Sequence, residues 1–209
     1  MACQLSAAVG IDCKDQIGGL KAVYFCNDYY NNIENVDSVT ADSFIMTAGG
    51  FATWQDSIGT TPASDVVIVY KYDLRPDLSS MTINTNASKT NGTTFFTQTL
   101  SLTLQKINAA VAYQLRLIAY NRVQVFVLDN NNNLFLLGYN NGCDVTAGTT
   151  LSGTAYGDLS GFTIEISAEE KAPYIQAGSA PSDPSAATYP FDKLTDNAAL
   201  TVVNPSPIV

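Results

Sequence analysis

The sequence predicts a mainly β fold: a β-sandwich or half-barrel with one packed α-helix, a long projecting β-hairpin and extended terminal arms. Three observations lead there. Runs of β-branched and aromatic residues with alternating polarity recur along the chain, as in "VVIVYKYDL" and "GFTIEISAEE". Helical spacing is convincing once, in "NAAVAYQLRLIAYN". Two apolar arms flank a tip, "NTNASKTNGTT", with nothing apolar to bury.

Composition bounds the rest. With 209 residues, 46% of them hydrophobic, the chain can fill one core. It divides into an N-terminal arm (1–19), a β domain (20–174) and a Pro/Ser/Ala-rich C-terminal arm (175–209). Charged residues make up 14%, below the roughly 25% of an ordinary soluble domain. A surface of Asn, Thr, Ser, Ala and Gly bonds to neighbours without burying charge, which favours an assembled protein. The net charge is −9 and the isoelectric point about 4.2. Gripping nucleic acid requires Lys and Arg on phosphates, and only ten scattered cations exist. The balance is compatible with a protein that must repel DNA, or one that merely stays soluble. No apolar run is long enough to span a bilayer and no leader opens the sequence. Cys3, Cys13, Cys26 and Cys143 lack CxxC spacing, so four free thiols in a reducing cytoplasm are expected. The sequons at Asn86 and Asn91 are then chance.

Taken in order, the start is a loose arm reaching Gly18-Gly19. "LKAVYFCN" is the first credible strand, "VDSVTADSFIMTAG" supplies one or two short ones, and "GGFATWQDSIGTTPASD" is a loop broken by glycines and Pro62. "VVIVYKYDL" is the strongest strand of the first half. From Leu74 to Gln105 two long strands meet at the polar tip, with Asn91-Gly92 suited to a tight turn. At roughly 3.3 Å per residue, an arm of a dozen residues reaches about 40 Å. A hairpin that long outruns its own core, so Asn86, Lys89 and Asn91 at the tip are candidate subunit contacts. The helix follows, with Asn108 as N-cap and Val111, Leu115 and Ile118 as its apolar stripe, widened by Ala112 and Ala119. Asn121 can close it in the left-handed conformation, with Arg116 and Arg122 near its C-terminal dipole.

"RVQVFVLDNNNNLFLLGY" is a hairpin with Val123, Val125 and Val127 on one side and an Asn-rich turn. "VTAGTTLSGTAYGDLSGFTIEISAEEK" adds two strands. In the second, Phe162, Ile164, Ile166 and Ala168 point inward, and the glycines around it suit bends and close backbone approach. After Tyr174 the chain turns Pro-rich. An ordered tail of this kind needs a surface to lie on, with Tyr189, Phe191 and Leu194 as anchors on a sister copy.

Chemistry is sparse. With no histidine, Ser-His and Cys-His pairs and His-ligated metals are out of reach. Asp129, Asn131 and Asn133 stand at positions 1, 3 and 5 of a calcium loop, but Leu134 replaces the glycine and Asn140 the final glutamate, so a hairpin turn is the better reading. Asp73 with Asp77, and Glu169 with Glu170, are paired acids without a catalytic frame. Gly18-Gly19 and Gly157-Asp158 lack the context of a phosphate loop. Tyr29-Tyr30 and Trp54 could stack on a sugar, though packing is commoner for such residues. No catalytic, cofactor or metal residues are expected, and the chain is not read as an enzyme.

Four segments in this order, "CKDQIGGLKAVYF", "NGTTFFTQTLSLTLQK", "FVLDNNNNLFLLGY" and "VTAGTTLSGTAYGDLSGFTIEISAEEK", resemble structural proteins of tailed bacteriophages, including phages of Bacteroidetes hosts and crAss-like phages. The resemblance covers roughly residues 13 to 171, and the plan is similar to the tail-tube fold. It implies a virion structural protein at the tail or head–tail junction, made in the host cytoplasm. Its partners would be itself in a ring, six-fold or a multiple, and adjacent virion proteins. DNA would pass through without specific binding, and no membrane is involved. The Pro-rich extension departs from the compact pattern and leaves tube, connector ring and other virion roles open. The alternatives are a capsid decoration, fibre or adhesin-type module, and, more remotely, a carboxylate hydrolase.

Overall fold

The computed structural model describes residues 16–26, 45–46, 67–177, 181–187, 189–192 and 200–205. Most of the expected N-terminal arm, Tyr29-Tyr30, Trp54 and Leu194 lie outside the described residues.

Among them the chain is mainly β with one helix. Its elements are β1 (Leu20–Cys26), β2 (Ile45–Met46), β3 (Val67–Asp73), β4 (Ser80–Ser88), β5 (Thr93–Gln105), α1 (Ala109–Tyr120), β6 (Gln124–Asp129), β7 (Leu134–Leu137), β8 (Asp144–Leu151), β9 (Gly161–Glu170), β10 (Ile175–Ala177) and β11 (Leu200–Val203). Two sheets form, a seven-stranded one in the order β11-β3-β1-β6-β7-β10-β2 and a four-stranded one in the order β4-β5-β9-β8. Pairing is antiparallel except for β11 on β3 and β10 on β2.

The central strands β1, β6 and β7 of the seven-stranded sheet are buried on both faces. Val23, Phe25, Val125 and Val127 turn towards the four-stranded sheet and meet Leu100, Leu102, Ile164 and Ile166 in one shared core. Ala22, Tyr24, Phe126, Leu134 and Leu136 turn the other way into a second core. Alternation places these side chains on their faces. A register shift between Leu20 and Ala22 in β1 returns Leu20 to the face of Val23. β9 shows the expected inward set, with Phe162, Ile164, Ile166 and Ala168 buried.

The tail reading is corrected. Residues 175–209 are not a separate arm where they are described, because β10 and β11 are strands of the large sheet. Phe191 is 0% exposed and closes the second core, with its ring edge-on to Tyr24 at 5.4 Å and to Phe126 at 5.0 Å. A residue so covered by its own chain cannot serve as the subunit contact expected of it. Tyr189 is half-buried against the same cluster.

The hairpin is corrected in length. β9 pairs with β5 from Phe96 to Gln105. Only the pairs Asn86–Phe95, Ala87–Thr94 and Ser88–Thr93 stand beyond it, an overhang of about 10 Å. The helix is capped as expected, with the Asn108 carboxamide accepting from the Ala110 N–H at 2.7 Å. Its stripe is shallower: Ile118 is buried, Val111 and Leu115 are half-buried, and Ala112 and Ala119 are exposed. Asn121 ends it in an extended rather than left-handed conformation (φ −107°), and its N–H bonds the Leu117 and Ile118 carbonyls. Neither arginine stands in the last turn.

Candidate functional site

The features with the most to offer an interaction lie on the four-stranded sheet. Its inner face is committed to the core, so alternation turns every other residue outward. Register lines these into rows across the strands: Ser80, Ser101, Glu165 and Ala147; Thr82, Thr99, Ser167 and Asp144; Asn84, Thr97 and Glu169; Thr103, Thr163 and Thr149. These rows are almost wholly hydroxyl, carboxamide and carboxylate groups, while the same face exposes Phe95 and Leu151 towards its two ends. The hydroxyls of Thr149 and Thr163 bond across the strands, and the Asn86 carboxamide donates to Thr97 Oγ at 2.7 Å. No Lys or Arg stands in these rows. Arg122, just past the helix, pairs with Asp144 at 3.5 Å at the rim.

Both outer strands, β4 and β8, have no further strand beside them among the described residues. β4 contains neither proline nor charge, so it lacks the usual guards against strand addition. β8 carries two guards, the charge of Asp144 and a register shift between Val145 and Ala147. The turn above β4 holds Lys89 and Asn91, with Gly92 at φ +63° and the Asn91 N–H donating to Ser88 Oγ. Asn86, Lys89 and Asn91 therefore gather at one end of the sheet. Tyr189 and Phe191 pack on the far face of the other sheet.

Buried polar groups fix the sheet in place. Gln98 is 3% exposed. Its oxygen accepts from the Gly138 N–H at 2.9 Å, and its amide donates to the Ala172 and Pro173 carbonyls. Glu170, 2% exposed, accepts from the Asn140 and Asn141 N–H groups, both at 2.8 Å, and from the Asn140 carboxamide at 3.0 Å. Together they rivet β5 and β9 to the turn that follows β7. Glu170 is thus a structural acceptor, while its neighbour Glu169 is exposed. Asp73 is engaged by Lys71 at 2.9 Å. Asp77 stands exposed in a turn at φ +64°.

The Asn-rich turn does more than reverse the chain. Asp129 closes it by accepting from the Asn133 N–H at 2.6 Å and from the Asn131 and Asn133 carboxamides. The outward asparagines then hold two remote segments. Asn131 makes a paired amide contact with Ile17, 2.8 Å each way. Asn130 bonds the carbonyls of Gly18 and Gly19. Asn132 donates to the Pro181 carbonyl at 2.6 Å and accepts from the Tyr189 hydroxyl at 2.9 Å. Sequence reasoning missed this clasp. The signal was the surplus, since a hairpin turn has no use for four asparagines in a row.

Two further surfaces expose aromatics. On α1, Tyr113, Leu117 and Tyr120 lie open, with the Arg116 guanidinium 5.5 Å from the Tyr120 ring centroid. In the turn between β8 and β9, Tyr156 is fully exposed. Asp158 accepts there from the Ala155 N–H, the Thr154 N–H and the Thr154 hydroxyl, which hold its carboxyl below the usual range. Compared with protein-family models, curated proteins and solved structures, the chain matches none of them.

Proposed function

We propose that this chain is a virion structural protein, a tail-tube-like or head–tail connector subunit that forms a ring around a DNA channel. The observation that carries the reading is the four-stranded sheet. It joins two outer strands, neither with a further strand beside it among the described residues, to a face rich in Ser, Thr, Asn, Asp and Glu whose rows hold no cation. Strand addition at both sides would extend the sheet from copy to copy, in a β-sandwich or half-barrel whose second sheet stays outside. Inside such a ring the acidic, hydroxyl-rich face offers phosphate no cation, so DNA would pass without being held electrostatically. The order of the four resembling segments supports the same assignment, and the role needs neither a catalytic nor a cofactor site.

A second reading is favoured by the open aromatics. Tyr113, Leu117, Tyr120 and Tyr156 would suit a capsid decoration, fibre or adhesin-type module that binds protein or glycan. Negative-stain microscopy and mass photometry of the purified chain separate the two. Closed rings with a central channel are the expected result. A monomer at high concentration, together with specific capture on a glycan array, would replace the first reading by the second.

A further inference from the structure

We infer that Asn91 is a self-modification site: in the folded chain its side chain closes on the Gly92 nitrogen, releases ammonia and becomes Asp or isoaspartate, whereas the fold holds Asn141 back from the same reaction. The inference concerns the single chain and stands whether or not copies join.

The chain holds two Asn-Gly steps, Asn91-Gly92 and Asn141-Gly142. Glycine sets no Cβ beside its nitrogen, so that nitrogen can approach the carboxamide carbon of the preceding residue with little hindrance. Hydroxide takes the proton of the glycine N–H, and the nitrogen electron pair forms a bond to Cγ. The bond from Cγ to the carboxamide nitrogen breaks, and ammonia leaves with a proton taken from water. A five-membered succinimide remains. Water then opens it at one of two carbonyls. Opening at Cγ gives Asp with the main chain restored, and opening at the other carbonyl leaves the main chain running through Cβ. Water and hydroxide are the sole co-reactants.

The two steps share a dipeptide and differ in every restraint. Lys89, Thr90, Asn91 and Gly92 are all exposed, in a turn that stands three residue pairs beyond the end of β9. The Asn91 N–H donates to Ser88 Oγ at 3.2 Å, but its carboxamide and the Gly92 N–H carry no hydrogen bond. Even a Cβ built on Gly92 would meet nothing within 4 Å. The nucleophile, the carbon it attacks and the space for ring closure are therefore all free. At the other step Gly142 is buried, and its N–H donates to the Gly138 carbonyl at 3.1 Å. The Asn141 carboxamide donates to the Glu169 carbonyl, and the Asn141 N–H to Glu170 at 2.8 Å. Gly138 packs so closely here that a Cβ on it would stand 2.7 Å from the Gly142 carbonyl carbon. Ring closure at Asn141 must first break these bonds, each of which holds a group the reaction has to turn.

The product changes the turn in a defined way. From Leu78 to Arg122 the chain has no Asp or Glu, so the new carboxylate is the first acid in β4, β5 and α1, and it arises two residues from Lys89. The isoaspartate form also lengthens the main chain between the paired residues Ser88 and Thr93.

Peptide mapping tests this in the full chain, aged in dilute solution at mildly acidic and mildly alkaline pH and compared with fresh protein. Trypsin releases Thr90–Lys106, in which Asn91 is the sole asparagine, and Val123–Lys171, in which fragmentation locates Asn141. The expected result is a mass gain from NH2 to OH at Asn91, split between two chromatographic forms and faster at alkaline pH. In the folded chain it should run about 10-fold or more ahead of Asn141, the factor for one or two held hydrogen bonds that must break first. In urea the two sites should converge. Asn91→Gln, which would need a larger ring, should leave Thr90–Lys106 unchanged, and Asn91→Asp supplies the chromatographic standard. Equal rates at the two sites in the folded chain, an Asn91 that reacts only after unfolding, or a difference that persists in urea would each overturn the inference.

Discussion

Glu170 is the residue on which most of the local order between the two sheets converges. A carboxylate taken out of water needs its oxygens filled. Here one oxygen takes two backbone N–H groups, and the other takes the Asn140 carboxamide. Truncation to Ala would strand two backbone donors in a closed turn, at about 1–3 kcal/mol each. Glu170→Ala should therefore lower stability by roughly 3 kcal/mol or more. Glu170→Gln keeps the oxygen facing the backbone and should cost about 1 kcal/mol. Urea unfolding reads both as a shifted midpoint at unchanged slope. Equal losses for the two variants would mean that the charge, not the bonding oxygen, matters. Gly161 is a second fixed point, since a Cβ there would stand 2.1 Å from the Leu104 carbonyl. The sequence raised four glycines in this region, and two are demanding: Gly161 by close approach, and Gly153 by φ +72°. Composition marks such a stretch as specified but does not say which glycine carries the constraint.

At the scale of elements, what is local was legible and what is remote was not. The Asn108 cap depends on a bond two residues away, and the inward set of β9 on the strand period alone. By contrast β11 pairs in parallel with β3, more than a hundred residues earlier in the chain. A short strand's periodicity names its face but never its neighbour. The clasp at the Asn-rich turn was hidden for the same reason, because its partners are Ile17, Gly18, Gly19, Pro181 and Tyr189. It predicts a graded response. Asn132 sits at φ +64°, where Gly is at ease and Ala is strained by about 1–2 kcal/mol. Asn132→Gly should release the segment around Pro181 and Tyr189 to limited proteolysis with little global loss. Asn132→Ala should do the same and unfold more readily as well. If the segment stays resistant in both variants, Phe191 alone holds it.

For the whole molecule, the two cores assign different work to the two faces of the large sheet. One face is shared with the four-stranded sheet, whose outer side is the candidate channel surface. The other is closed by the chain's own C-terminal segment through Phe191. The idea that the Pro-rich end takes its order from sister copies thus gives way, for the residues described, to burial within the same chain, and the assembly reading now stands on the sheet edges. The difference is measurable in a single experiment series. Amides of β10 and β11 should be protected from hydrogen exchange even when the protein is dilute enough to be monomeric. Phe191→Ala should remove that protection and cost about 3–5 kcal/mol, the range for emptying a buried aromatic site. Protection that appears only at assembling concentrations would return the tail to the interface. Protection at every dilution, with β4 amides slow to exchange only when copies meet, would divide the molecule into a self-sufficient body and a cooperative edge.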